Sequence, residues 1–95
     1  LQGTNTDFHI ANPIEGDIFE IDPQTSYTNQ RIIFRVFSSD SRIDEVTFKL
    51  NDQVVGKSRL PFELSWMPKS GSYRLEAIGA GPACRKSDQV RFRVF

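Results

Sequence analysis

The chain has 95 residues, 38% hydrophobic and 25% charged, and its twelve basic and twelve acidic side chains cancel to zero net charge. That length holds one core rather than two, and the composition is that of a folded domain, not a disordered tract. Zero net charge argues against general nucleic-acid binding, which needs a basic footprint.

Charge is nonetheless unevenly placed. Asp7, Glu15, Asp17, Glu20 and Asp22 lie in residues 1–30 with no Lys or Arg, and all twelve basic residues follow from Arg31 onward. Cys84 is the only cysteine, which excludes an internal disulfide and a cysteine-rich zinc site. No apolar run approaches the roughly 18 residues of a membrane-spanning helix. The sequence opens on Leu1 rather than Met, as expected of a processed chain or a piece of a longer one, and shows no signal-peptide pattern.

In chain order, Asn12-Pro13 and Glu15-Gly16-Asp17 break the first stretch into two short strands, 8–11 and 17–21. Asp22-Pro23 opens a polar loop ending near Gln30. Over 31–37, Ile32, Phe34 and Val36 oppose Arg35, while Ile33 and Phe37 make both faces fairly apolar. Ser38-Ser39-Asp40-Ser41 leads into 43–50, where Val46, Phe48 and Leu50 oppose Thr47 and Lys49. Asn51-Asp52 then turns a hairpin into Gln53-Val54-Val55-Gly56.

Phe62, Leu64 and Trp66 alternate through 62–67, and Lys69-Ser70-Gly71 turns the chain into 72–78. There Tyr73, Leu75 and Ala77 oppose Arg74 and Glu76. Gly79 to Lys86 reads as the longest late loop. Val90, Phe92 and Val94, alternating with Arg91 and Arg93, form the last strand. No segment keeps a helical period. Seven to eight short strands spaced by turn signals specify an all-β, immunoglobulin-like antiparallel sandwich. It is expected to be one domain over 1–95, ordered from about residue 8, with Phe34, Phe48, Trp66, Leu75, Phe92 and Val94 in its core.

Catalytic constellations are missing from the sequence. His9 is the only histidine and has no second histidine or cysteine nearby, so it reads as a strand-surface residue. Cys84 lies beside Arg85 and Lys86, cations that favour a thiolate, but without a partner base it reads as an accessible loop thiol. Lys69-Ser70-Gly71 matches the Lys-Thr/Ser-Gly element of penicilloyl serine transferases. Those enzymes also need a serine three residues before a lysine. Val46, Val54, Trp66 and Ala83 stand three residues before Lys49, Lys57, Lys69 and Lys86. The tripeptide is therefore a turn.

Asp22, Asp40 and Asp44 lack the Asp-x-Asp-x-Asp-Gly calcium pattern and read as solvated turn acids. No metal or cofactor is expected. Trp66 suits sugar stacking by chemistry but follows the inward alternation of its strand, which places it in the core. Phe8, Tyr27 and Phe37 are the other aromatics open to a glycan reading, and they form no row.

Arg74, Arg91 and Arg93 are the leading candidates for binding. Inward Tyr73, Leu75 and Phe92 force all three outward, and pairing of the last two strands brings them onto one face, beside Lys49. Such a patch either solubilises an outer sheet face or docks carboxylates of an acidic partner.

The pattern Ile10-x-x-Pro13-x-x-Gly16-x-x-Phe19-x-Ile21-Asp22-Pro23 resembles the opening of the C-terminal domain of penicillin-binding protein 1C. Leu50-Asn51, Gly56, Trp66-x-Pro68-x-x-Gly71-x-Tyr73-x-Leu75 and Val90-x-Phe92-x-Val94 continue it, so the resemblance covers about 8–95. Phe48 stands where that family often has Trp, and the Gly79–Lys86 stretch is longer than its usual turn. General bacterial immunoglobulin-like modules share the Asn51-x-x-x-x-Gly56 hairpin and remain an alternative.

The resemblance implies a periplasmic, membrane-anchored peptidoglycan synthase as parent, with glycosyltransferase and transpeptidase domains upstream. This chain would be its non-catalytic accessory module, with a protein or cell-wall component as partner. It would be monomeric and would not itself insert into the membrane. A carbohydrate-binding module touching glycan strands is the alternative function.

Overall fold

A computed structural model describes residues 7–22, 24 and 30–95. Tyr27 and most of the loop after Asp22 lie outside the described residues. Among the described residues eight strands follow in order: β1 (Phe8–Asn12), β2 (Asp17–Phe19), β3 (Ile32–Ser38), β4 (Glu45–Leu50), β5 (Gln53–Ser58), β6 (Glu63–Trp66), β7 (Gly71–Gly81) and β8 (Cys84–Val94). They form a three-stranded sheet, β1-β3-β6, against a five-stranded sheet, β2-β8-β7-β4-β5. The chain is thus an all-β sandwich of the immunoglobulin-like class.

The first stretch changes sheets. β1 pairs antiparallel with β3, then the chain turns through Pro13 to Gly16 and β2 pairs with β8. Gly16 takes φ +86°, a conformation that costs a residue without a Cβ little. β2 is not joined to β8 by a hairpin, which would require antiparallel strands, and it pairs parallel to β8. This pair departs from the antiparallel expectation. The Asn51-Asp52 turn has φ of +48° and +72°, the left-handed pair that a two-residue hairpin linking β4 to β5 requires.

The core is built by the alternation. Phe34, Phe48, Leu75, Phe92 and Val94 are all buried, along with Ile10, Val36, Val46 and Phe62. Trp66 packs half-buried against this cluster, its ring stacked on Phe34 at 5.5 Å and edge-on to Tyr73 at 4.9 Å. Indole is large enough to pack the core while keeping one margin at the surface.

The Gly79–Lys86 loop of the sequence reading is not a loop. β7 and β8 run on as a hairpin of two eleven-residue strands joined by Pro82-Ala83, with Gly81 opposite Cys84. The glycines serve packing rather than turning. A Cβ on Gly81 would lie 1.8 Å from the Arg42 carbonyl oxygen, and one on Gly79 would lie 2.5 Å from the Phe8 ring. The β3–β4 connection can lie on the hairpin only because side chains are missing there.

Candidate functional site

Strand register places the arginines. Arg74 of β7 faces Arg91 of β8 directly, and Arg93 of β8 faces Ser72 of β7. Lys49 of β4 faces Glu76, which in turn faces Gln89. All project from the outer surface of the five-stranded sheet, in rows two residues apart, about 6.8 Å along each strand. The structure therefore brings Arg74, Arg91 and Arg93 together, with Lys49 one row away and two strands from Arg91.

Their electrostatics differ. Two like charges directly opposed across a ladder repel, and each is met by its own carboxylate. The Arg74 guanidinium donates to Asp52 in the β4–β5 turn, which is held close by Asn51 bonding the Arg74 amide at 2.9 Å. Arg91 donates through Nε to Glu15 Oε2 at 3.1 Å, and its backbone amide donates to Oε1 at 2.9 Å. That amide bond, followed by the charge of Arg91, lowers the Glu15 pKa. Among the described residues, no carboxylate reaches ion-pair distance of Arg93 or Lys49. Arg93 lies over the Phe95 ring, 5.1 Å from its centroid. Glu76, the neutralising partner one would pick from sequence spacing, pairs with none of them in the ion pairs seen.

A shallow hollow of about 390 Å³ opens on this face, lined by Ser72, Arg74, Arg91 and Arg93 together with Gly16, Asp17 and Asn51. It holds guanidinium donors, the Ser72 hydroxyl and the Asp17 carboxylate, which accepts the Ile14 amide at 3.0 Å. Guanidinium donors beside a hydroxyl are groups that can bind a carboxylate.

The other candidates fall elsewhere. Asp40 is not a solvated turn acid: its side chain is 2% exposed. It accepts from Arg42 Nε at 2.9 Å and Nη2 at 2.7 Å, from the Arg42 amide at 3.0 Å and from Cys84 Sγ at 3.4 Å. Lys86 Nζ lies 3.1 Å away. The Arg42 side chain first, then its amide, hold this carboxyl well below the usual carboxylate range, against the opposing effect of burial. Cys84 is accordingly half-buried on β8 and bonded to Asp40, not displayed on a loop. This cluster pins the β3–β4 connection to the β7–β8 hairpin. Sequence spacing could not reveal it, because Asp40 and Cys84 meet only through the fold.

Asp22 accepts the Gln24 amide at 2.8 Å, and Asp44 is exposed. Among the described residues no group of three or more His, Cys, Asp or Glu is arranged to hold a metal ion. Lys69 and Ser70 precede β7 in a turn whose Lys69 carbonyl accepts from the Tyr73 hydroxyl at 2.8 Å. On the opposite sheet, exposed Phe37 packs on His9 with ring centroids 5.4 Å apart, and His9 Nδ1 lies 3.0 Å from Asp7. Phe8 instead turns inward against the core.

The family model described as Penicillin-Binding Protein C-terminus Family matches residues 1–92. No curated protein sequence matches the chain. Among solved structures, the fibronectin(III)-like modules of Clostridium thermocellum CbhA are similar at a TM-score of 0.71 and 19% identity, covering 93% of this chain and 95% of that one. An engineered protein is similar at a TM-score of 0.71 and 18% identity, over 96% of this chain and 20% of its own. The endo-beta-1,4-mannanase from Thermotoga petrophila is similar at 0.66 and 13% identity, again over 96% of this chain and 20% of that one. At these identities the likeness is one of fold alone.

Proposed function

The chain belongs to the penicillin-binding protein C-terminus family, and we propose that it is a non-catalytic accessory module that docks a protein partner and so positions its parent at the cell wall. The parent in this reading is a periplasmic peptidoglycan synthase of the penicillin-binding protein 1C type. The observation that carries the reading is the direct Arg74–Arg91 pairing with Arg93 two residues on, all on one sheet face. Guanidiniums gathered in this way favour an incoming acidic surface, which can exchange with Asp52 and Glu15 at little net cost because exposed ion pairs are worth only about 0–1 kcal/mol.

The reading is tested by replacing Arg74, Arg91 and Arg93 together with Ser. Thermal stability and binding to wall fragments and to the synthase's protein partners are then compared with the unaltered chain. Retained stability with lost binding to the protein partners supports docking. Unchanged binding to them removes this face from consideration, and loss of wall-fragment binding alone favours the glycan alternative.

A further inference from the structure

Arg93 differs from its two neighbours. Arg74 and Arg91 are each held by a carboxylate, whereas the contact of Arg93 with Phe95 uses the positive charge and none of the guanidinium's five N–H donors. In register, Arg93 stands between Ser72 of β7 and Ile18 of β2, so one row across three strands presents a hydroxyl, a guanidinium and an aliphatic side chain. Ile18 is 61% exposed and offers an apolar surface to solvent. Two hollows, of about 390 and 410 Å³, meet at this row, and both are lined by Ser72 and Arg93. The one acid in their linings, Asp17, is turned to the Ile14 amide at 3.0 Å.

We propose that Arg93 and Ser72 form the carboxylate-receiving centre of the docking face, and that its occupant is an acidic segment of a protein partner carrying an aliphatic residue beside the acid. This rests on the docking reading above. A guanidinium with free donors and an adjacent hydroxyl match a carboxylate, which accepts two parallel N–H bonds and one O–H bond. Ile18 beside them rewards an apolar neighbour, which a uniformly hydrophilic polyanion lacks. Arg74 and Arg91 are secondary, because an occupant must first displace Asp52 or Glu15.

The probe is the peptide acetyl-Glu-Val-Glu-Val-Glu-amide, titrated into the isotope-labelled chain at low salt and followed by NMR. The amide signals of Ile18, Ser72 and Arg93 are expected to move, and rising salt to reverse the shifts. Losing a charge-assisted bond should make Arg93→Ser bind about tenfold more weakly, and Arg74→Ser should change affinity by less than about twofold. Glu15→Gln, which releases Arg91, should tighten binding. Failure of the peptide to bind, equal binding of the Lys-for-Glu peptide, or undiminished binding by Arg93→Ser overturns the proposal. If Arg93→Ser binds normally while the triple variant does not, the docking face stands and the Arg93 centre falls.

Discussion

Arg74 and Arg91 face each other across the β7–β8 ladder, yet their guanidiniums turn to different carboxylates, Asp52 and Glu15, at the sheet's margins. A repulsive pair is thereby kept in place by two surface ion pairs. Removing one carboxylate, as in Asp52→Asn, should cost about 1 kcal/mol or less, because exposed pairs contribute that little. Chemical denaturation of the single variant checks this.

Asp40 predicts an acid-sensitive window. Its folded pKa is depressed below the ordinary value near 3.8, so its contribution to stability is fully present above that value. It fades as pH falls below it, because the unfolded chain then takes up the proton first. Denaturation midpoints between about pH 5 and pH 2 should decline steeply in the unaltered chain, and less steeply in Asp40→Asn. Parallel declines would show that the cluster does not govern acid stability.

Gly81→Ala should destabilise the domain by about 3 kcal/mol, at the upper end of overpacking effects. The obstacle is the Arg42 backbone carbonyl, 1.8 Å from the new methyl group, and it cannot rotate aside as a side chain would. A thermal midpoint equal to that of the unaltered chain would show that the β3–β4 connection yields freely.

Core and surface aromatics should separate cleanly. Phe34 and Phe92 are fully enclosed, and truncating either to Ala should cost about 3–5 kcal/mol. Phe37 is 49% exposed on the outer face of β3, and Phe37→Ser should change stability by no more than about 0.5 kcal/mol. Guanidinium titrations of the three variants provide the comparison.

Alternation made most of the fold legible. Every strand with inward Phe, Val or Leu opposite Arg, Lys or Glu lies where the period places it, and the parity of Tyr73, Leu75 and Phe92 put the arginines on one surface. Two kinds of feature escaped. Gly79 and Gly81 resemble loop glycines in sequence but are close-packing positions inside or at the end of β7, since a missing side chain looks the same in either role. The partners Glu15–Arg91 and Asp40–Cys84 are 76 and 44 residues apart. No local spacing rule connects them, so the local neutralisation of the arginines and the burial of Asp40 emerge only in three dimensions.

Docking through the outer face of the five-stranded sheet is tested most directly by arginine-specific labelling with phenylglyoxal, read residue by residue by mass spectrometry. The chain is labelled alone and again as part of the parent protein in its native cell-envelope assembly, with its protein partners present. Arg91 and Arg93 should be protected in the parent, while Arg35, half-exposed on the opposite sheet, reacts equally in both. Equal labelling of Arg91 and Arg93 in the two settings, or protection centred on Arg35, would contradict the account.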